Sequence, residues 1–465
     1  MKNYVRFLNH SCIELVAPNT IISCDPWFRG TAFTDGWSLL NDKSHNINKL
    51  SFDYIWISHE HPDHFSIPTL STLHNPVKFL FQETKDRKVA SFLENKGHAV
   101  IELSNKKPTQ IGDLELTCVI CDGYDSSLIV KFPNGRVLVN MNDARVDVNN
   151  HINTELKPSL EGCDVDLLSF QFGYANWAGN KGDKKIPEHQ QELIDKKNKY
   201  AIKEFNPKMI MPFASFIYFS HEENFYWNEK YWLDHIFSKF SKLTSQLIFP
   251  SVNQKISLDG ITDDELNKSN ELAKIFWESK LKNIKPLMRS KFVPLECLSN
   301  QYDLFIKRLH NNNLLLKEID IKEDFILSLQ ILDLNLVVSI GLLKNHFKVE
   351  QNKKNVAAEI SSEIFDFLLK NSFGRGSVTI NGRIQFNYDY AHRFFLFFFI
   401  FYANNIGINF NEFSKLTQDM LHSVANTSVM NSILIFNENA RYNLKSDVVY
   451  LSRLFEKKSL YEDKL

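Results

Sequence analysis

The chain has 465 residues, 43% of them hydrophobic, with 54 lysines and arginines against 55 acidic residues for a formal net charge of -1. That balance excludes a disordered or fibrous chain. It also gives no global field to draw in nucleic acid or an anionic membrane, so an anionic ligand must be held by local basic residues.

From the N-terminus, YVRFL, CIELV, TIISC, DYIWIS, VKFLF, LELTCVI, SLIVKF, RVLVNM, DLLSFQF and KMIMPF read as strands, several of them bounded by Gly, Asn, Asp or Pro. Helices are predicted near 86–96 and 187–205, the second with Pro187 in its first turn. Many strands with few helices between them predict stacked sheets covered by helices. The opening MKNYVRFLNHSC carries no long apolar run behind a basic tip, so a secretory signal is not expected and a cytoplasmic location is. Six cysteines are too sparse for a disulfide framework, and Cys118 and Cys121 sit on a predicted strand that points them to opposite faces.

The polar, turn-rich stretch from about 246 and the amphipathic DDELNKSNELAKIFWESKLKN are expected to form a linker over 246–290. Residues 291–465 are expected to form a smaller α+β accessory domain, with helical spacing in AAEISSEIFDFLLKN and a hairpin around Asn381 and Gly382 in SVTINGRIQF. The order of helix, hairpin and apolar helix weakly resembles sterol-carrier-like domains. Phenylalanine numbers 38 and peaks in RFFLFFFIFYA. That run holds about ten apolar residues where a membrane span needs about twenty, so a buried helix is expected and no transmembrane segment. The tail, LFEKKSLYEDKL, is expected to be solvated and partly helical.

The chemistry is concentrated in DYIWISHEHPDHFSIPTL, which places His59, His61, Asp63 and His64 directly after an apolar strand. His59 and His61, two apart in extended chain, point the same way and can share one cation. Asp63 and His64, at the following turn, can serve a second, since imidazole and carboxylate suit Zn, Fe or Mn.

This H-x-H-x-D-H run resembles that of the metallo-β-lactamase superfamily. The resemblance implies an αββα sandwich over residues 1–245, with two divalent metal ions at one edge. It further implies a bridging Asp at a later strand end, supplied by Asp143 in NMNDAR, and a His on a still later loop, supplied by His221 in FSHEENFY. Asp63, His64 and Asp143 are then the residues at the reacting centre. ISHEHPDHFSIPTL, the DG of CDGYDSS, NMNDAR and PFASFIYFSHEENFY are further similar to the metallo-β-lactamase part of CMP-N-acetylneuraminate hydroxylases, monooxygenases acting on a nucleotide sugar.

Two features depart from that pattern. The hydroxylases carry an iron-sulfur cluster held by C-x-H and C-x-x-H pairs, and no cysteine here is followed by His at either spacing, so no such cluster is expected in this chain. The superfamily also has a third His on the first metal, where this sequence offers only Asp122, Asp125 and the more remote His98. We expect Asp122 to take that place, with Asp125 as the substitute, and a carboxylate there favours iron or manganese over zinc.

Arg145, two residues after Asp143, is a candidate for a substrate carboxylate or phosphate, as is Lys181 in the basic cluster with Lys184 and Lys185. Asp25 is expected to fix a turn beside the site without being a ligand. The resemblance implies hydroxylation of a nucleotide sugar or similar small anionic metabolite with electrons from a separate protein. The alternative is a metal-dependent hydrolase of a phosphoester or acyl substrate.

Overall fold

Runs of Val, Ile, Leu and Phe as continuous as these need cover on both faces, which a layered pair of sheets provides. The computed structural model describes residues 3–42, 45–121, 125–146, 150–173, 176–230, 245–313, 316, 324–342, 345–351, 355–405, 407–408, 424 and 427–462. The chain forms two compact units. The first comprises Met1–Tyr174, Gln191–Tyr218 and Asn228–Lys285, and the second Ala175–Gln190, Phe219–Trp227 and Pro286–Leu465.

The strands run in chain order as β1 (Tyr4–Asn9), β2 (Cys12–Ala17), β3 (Thr20–Cys24), β4 (Trp37–Leu39), β5 (Tyr54–Ile57), β6 (Lys78–Gln82), β7 (Ala99–Leu103), β8 (Thr109–Ile111), β9 (Leu114–Cys121), β10 (Asp125–Lys131), β11 (Val137–Asn140), β12 (Leu167–Gln171), β13 (Met209–Phe213), β14 (Ile217–Phe219), β15 (Gln246–Leu247) and β16 (Lys255–Ser257). All ten strands read from the sequence are among them. The helices here are α1 (Ile67–Leu70), α2 (Lys88–Asn95), α3 (Lys157–Ser159), α4 (Lys185–Phe205) and α5 (Asp263–Leu281).

Two seven-stranded sheets result, in the orders β16-β1-β2-β3-β5-β6-β7 and β15-β13-β12-β11-β10-β9-β8. Strand direction decides where the chemistry lies. Because β2 is antiparallel to both β1 and β3, and β3 and β5 are parallel, the C-terminal ends of β1, β3 and β5 share one edge of the first sheet. In the second sheet β10 is antiparallel to β11, so the start of β10 lies beside the end of β11. The two edges are joined where Ser126 Oγ donates to the Ser58 carbonyl at 2.7 Å and Asn142 Nδ2 donates to Asp25 Oδ2 at 2.7 Å.

The stretch expected as a linker is instead built into the first unit as far as Lys285. β16 pairs antiparallel with β1, and α5 opens on a capping box between Thr262 and Glu265. Trp277 explains why: its ring stacks on Phe216 at 4.2 Å and its indole N–H reaches the Pro250 carbonyl at 2.8 Å. The amphipathic face was legible, but not the surface it covers.

The second unit holds α6 (Leu295–Asn312), β17 (Ile326–Ile331), β18 (Leu336–Gly341), β19 (Phe347–Glu350), β20 (Val356–Ile360), α7 (Ser362–Lys370), α8 (Gly374–Asn381), β21 (Gln385–Phe386), α9 (Ala391–Phe397), α10 (Phe399–Asn405), α11 (Ser428–Phe436) and α12 (Glu438–Glu462). Its strands form one sheet in the order β19-β18-β17-β20-β21. Two local expectations are corrected. AAEISSEIFDFLLKN divides into β20, parallel to β17, and α7, whose first turn is held by Asp333 accepting from Ser362 N at 2.7 Å. SVTINGRIQF forms α8 and β21 with no hairpin between them. Gly382, at φ 69°, is the left-handed residue ending the helix, and a Cβ there would lie 2.3 Å from the Trp227 ring. The Phe-rich run makes two buried helices, with Phe401 edge-on to Phe305 at 4.9 Å. Among the described residues no helix is long and apolar enough to cross a membrane.

Trp277→Ala is expected to cost about 3–5 kcal/mol, the range for emptying a buried aromatic site. Denaturant titration of the full chain followed by tryptophan fluorescence reads the shift of the first unit's transition; an unchanged midpoint would return this stretch to the status of a linker.

Candidate metal centre

The strand ends described above deliver seven side chains to one edge. His10 comes from the β1–β2 turn, His59, His61, Asp63 and His64 follow β5, Asp125 opens β10, and Asp143 follows β11. They fall into three groups of nitrogen and oxygen donors, each within 4.8 Å: His10, Asp63 and His64; His59, His64 and Asp143; and His59, His61 and Asp125. His59 and His64 each belong to two groups, so the donors are continuous. His10, His59, Asp63 and His64 are buried, while His61, Asp125 and Asp143 are half-buried and form the open side.

The hydrogen bonds behind the rings decide which nitrogen faces the centre. Asp25 is fully buried, and its carboxylate accepts from Ser58 N at 2.8 Å, Ser58 Oγ at 2.7 Å and Asn142 Nδ2 at 2.7 Å. A carboxylate only accepts, so His64 Nδ1, 3.0 Å away, donates to it, and it is Nε2 that carries the lone pair once the ring is neutral. The one Ser58 hydroxyl proton is spent on Asp25. His59 Nδ1, 2.9 Å from that oxygen, must therefore donate as well, and its Nε2 also turns a lone pair inward. Such backing fixes the tautomer of a ligating imidazole.

The inward atoms fit cations better than they fit one another. His64 Nε2 lies 3.2 Å from Asp63 Oδ2 and 3.3 Å from Asp143 Oδ2, yet makes no hydrogen bond with either. Asp63 Oδ1 and Asp143 Oδ1 are also buried without a hydrogen-bond partner among the described residues. His59 Nε2, in contrast, shares a 2.8 Å hydrogen bond with His61 Nδ1 and lies 3.6 Å from Asp125 Oδ1. Orphaned buried acceptors are costly unless a cation or proton meets them. Three carboxylates and four imidazoles suit two divalent ions in charge and in donor type.

The proton affinities carry the same signature. Burial holds the His59 pKa down at about 3, helped by the neighbouring His64 and His61, so this ring is neutral. Burial also opposes charge on His64, but Asp63, Asp143 and Asp25 outweigh it and push its pKa well above the ordinary value. Burial would raise Asp63 and Asp143, yet His64 overrides it and lowers both. Burial does raise Asp125, opposed by His61. His64 in the cation-free chain is thus the counter-charge to the carboxylates, a place a metal ion takes over.

Of the residues singled out in the sequence, the structure brings together His59, His61, Asp63, His64 and Asp143. Asp122 lies outside the described residues; Asp125 is the residue grouped with His59 and His61. Asp25 holds Ser58, Asn142 and His64 beside the site and is in none of the donor groups among the described residues. His10 was missed: a lone His after YVRFLN gives no spacing signal, although a His in a two-residue turn beside the first strand end was a clue. Arg145 is exposed two residues beyond Asp143.

His221 and Lys181 belong to the second unit. His221 is buried, with Nδ1 accepting from Glu223 N at 3.2 Å and Nε2 without a hydrogen-bond partner among the described residues. Burial lowers its pKa, with Arg383 adding to the effect. Arg383 in turn binds Glu223 at 2.7 Å and Glu363 at 2.5 Å. Lys181 is exposed on a loop tied down by its own N–H to Gln385 Oε1 at 2.7 Å.

An H-x-H-x-D-H run at the end of β5, an Asp at the end of β11 and two mixed sheets meeting at that edge match what the sequence led us to expect. The first unit thus has the two-sheet architecture, with its donors at one edge, that the metallo-β-lactamase resemblance implied. No family model matches the chain. The cytidine monophosphate-N-acetylneuraminic acid hydroxylase of Danio rerio is 27% identical over 250 residues, 48% of this chain and 40% of that protein. Its Xenopus laevis counterpart is 26% identical over 240 residues, with the same shares. The match thus spans less than half the length of these curated relatives. Among solved structures, CmlA, a diiron β-hydroxylase from Streptomyces venezuelae, has TM-score 0.34 at 16% identity over 46% of this chain and 45% of its own. A possible metal-dependent hydrolase from Veillonella parvula has TM-score 0.38 at 13% identity, covering 55% of this chain and 99% of its own.

Asp25→Ala should weaken cation binding about 10- to 100-fold by releasing the His64 tautomer, as loss of such backing does elsewhere. Loading should also release protons. With its pKa raised, His64 carries a proton that a cation must displace, so affinity rises with pH up to that raised value. Calorimetric Zn2+ titration in buffers of different ionisation enthalpy measures both; binding without proton release would mean that His64 is not a ligand.

Proposed function

We propose that this chain is a dinuclear metal oxygenase that hydroxylates a small anionic metabolite, a nucleotide sugar or a compound like it, with electrons from a separate protein. The observation that carries the reading is the set His59, His61 and Asp125, two imidazoles and one carboxylate, of which His61 and Asp125 lie on the open side of the centre. Two His and one carboxylate with free positions is the donor set of non-haem Fe(II) oxygenases, whereas a third imidazole would favour zinc. The sequence likeness to hydroxylases of a nucleotide-activated sugar supports the substrate class.

In this reading His59, His61 and Asp125 hold the first cation. Asp63 and His64 hold the second, Asp143 is shared between them, and His221 is a further donor proposed on the sequence resemblance alone. Iron in both positions would supply the centre at which dioxygen, the oxidant, is activated with the partner protein's electrons. The chain's own residues do the remaining work. Asp25 and Ser58 hold the rings in the ligating tautomer, and His10, His59, Asp63 and His64, all buried, keep water from the closed side. Arg145, exposed beside Asp143, is the residue we assign to the substrate's carboxylate or phosphate.

Metal analysis of chain purified without chelators is expected to find two irons, and Asp125→Ala to lose one of them. Two zincs in the wild-type chain, retained in Asp125→Ala, would overturn the oxygenase reading and leave the hydrolase. Arg145→Ala should raise KM for an anionic substrate more than about tenfold with little change in kcat, the pattern of lost uniform binding.

A further inference from the structure

We propose that His10 is a positioning residue that holds the Asp63 carboxylate in place for the second cation; this rests on the dinuclear reading above. β1 and β2 are joined by a two-residue turn, since Asn9 pairs with Cys12, and the turn is His10–Ser11. His10 has φ 43°, the left-handed region that such a turn ordinarily gives to glycine. A bulky ring kept at a strained position is a feature that function often retains.

Both turn residues reach Asp63. His10 Nε2 lies 3.3 Å from Asp63 Oδ2, and Ser11 Oγ donates to the Asp63 carbonyl at 3.4 Å. The turn is pinned from the second sheet, where Ala214 N donates to the His10 carbonyl at 2.9 Å. The ring is 1% exposed and stands edge-on to Trp27 at 5.4 Å and to His64 at 5.9 Å, which fixes its rotation.

The direction of the hydrogen bond separates positioning from ligation. Asp63 as a carboxylate only accepts, so His10 Nε2 carries the hydrogen and has no lone pair for a metal. Nδ1, the nitrogen that keeps the lone pair, is buried without a hydrogen-bond partner among the described residues. His10 thus holds Asp63 Oδ2, the oxygen that also lies 3.2 Å from His64 Nε2, while Oδ1 has no hydrogen-bond partner among the described residues. His10 is to Asp63 what Asp25 is to His64.

The test is Co2+ titration of the chelator-stripped full chain, followed by its visible absorption bands. His10→Gly suits the turn's backbone and removes the donor; His10→Asn also tolerates that backbone but falls short of Asp63 and serves if the glycine variant does not fold. We expect either variant to bind the second Co2+ about 10- to 100-fold more weakly with the first unaffected, and His10→Gln, whose amide can donate, to recover most of the loss. X-ray absorption should count the same number of imidazoles per cobalt in wild type and variant. Equal affinity for the second ion, or the loss of one imidazole, overturns the positioning role, the latter by making His10 a ligand. A wild-type chain that takes up fewer than two Co2+ ions overturns the dinuclear reading itself.

Discussion

The carboxylate of Asp25 is the fixed point of the first unit. It is fully buried at φ 43°, its backbone N–H bonds to the Trp56 carbonyl at 2.9 Å, and its two oxygens accept from Ser58, Asn142 and His64. Ser58 follows β5 in the first sheet and Asn142 follows β11 in the second, so one buried charge ties both sheets together at the edge where the donors emerge. An ionised carboxylate inside a protein is tolerable only when its lone pairs are met, and here each partner is next to a residue of the centre. Ser58 precedes His59 and Asn142 precedes Asp143. The same bonds that make Asp25 tolerable therefore aim the donors.

Charge sets the next constraint. Asp63, Asp125 and Asp143 converge among four imidazoles, with the buried Lys197 acting on Asp125, and the rest of the compensation falls to the imidazoles or to bound cations. A proton on His64 can serve one side of the cluster only, because burial and its neighbours keep His59 neutral. A buried edge of this composition is poised for metal, and the cost of assembling it without metal falls on the stability of the first unit.

Much of this was readable in advance because it follows local rules. Ten strands announced themselves as apolar runs bounded by turn residues, and His59, His61, Asp63 and His64 carry their geometry in their spacing. What the sequence concealed depends on strand order and partners. Asp125 could be placed with His59 and His61 only once its position as the first residue of β10 was known, with Ser126 held against the Ser58 carbonyl. His10 was missed because its partner is 53 residues away and only its place beside a strand end hinted at a role. The 246–290 stretch looked like a linker because no local pattern says that β16 pairs with β1 or that Trp277 stacks on Phe216. Gly382 was read as a hairpin turn because a left-handed glycine serves a helix end equally well.

The carboxylate in the first donor set follows from how the second sheet is built. β9 and β10 form a tight antiparallel pair in register from Asp125 opposite Cys121 to Lys131 opposite Glu115. The first residue of β10 therefore reaches the centre directly from a strand end. A histidine at that point would put a longer, bulkier group beside His59 Nε2 and His61 Nδ1, already 2.8 Å apart. An aspartate fits there and brings a negative charge, which hardens the donor set toward iron or manganese. The chemistry proposed for the chain thus depends on the register of one hairpin as much as on the histidines that first mark the site.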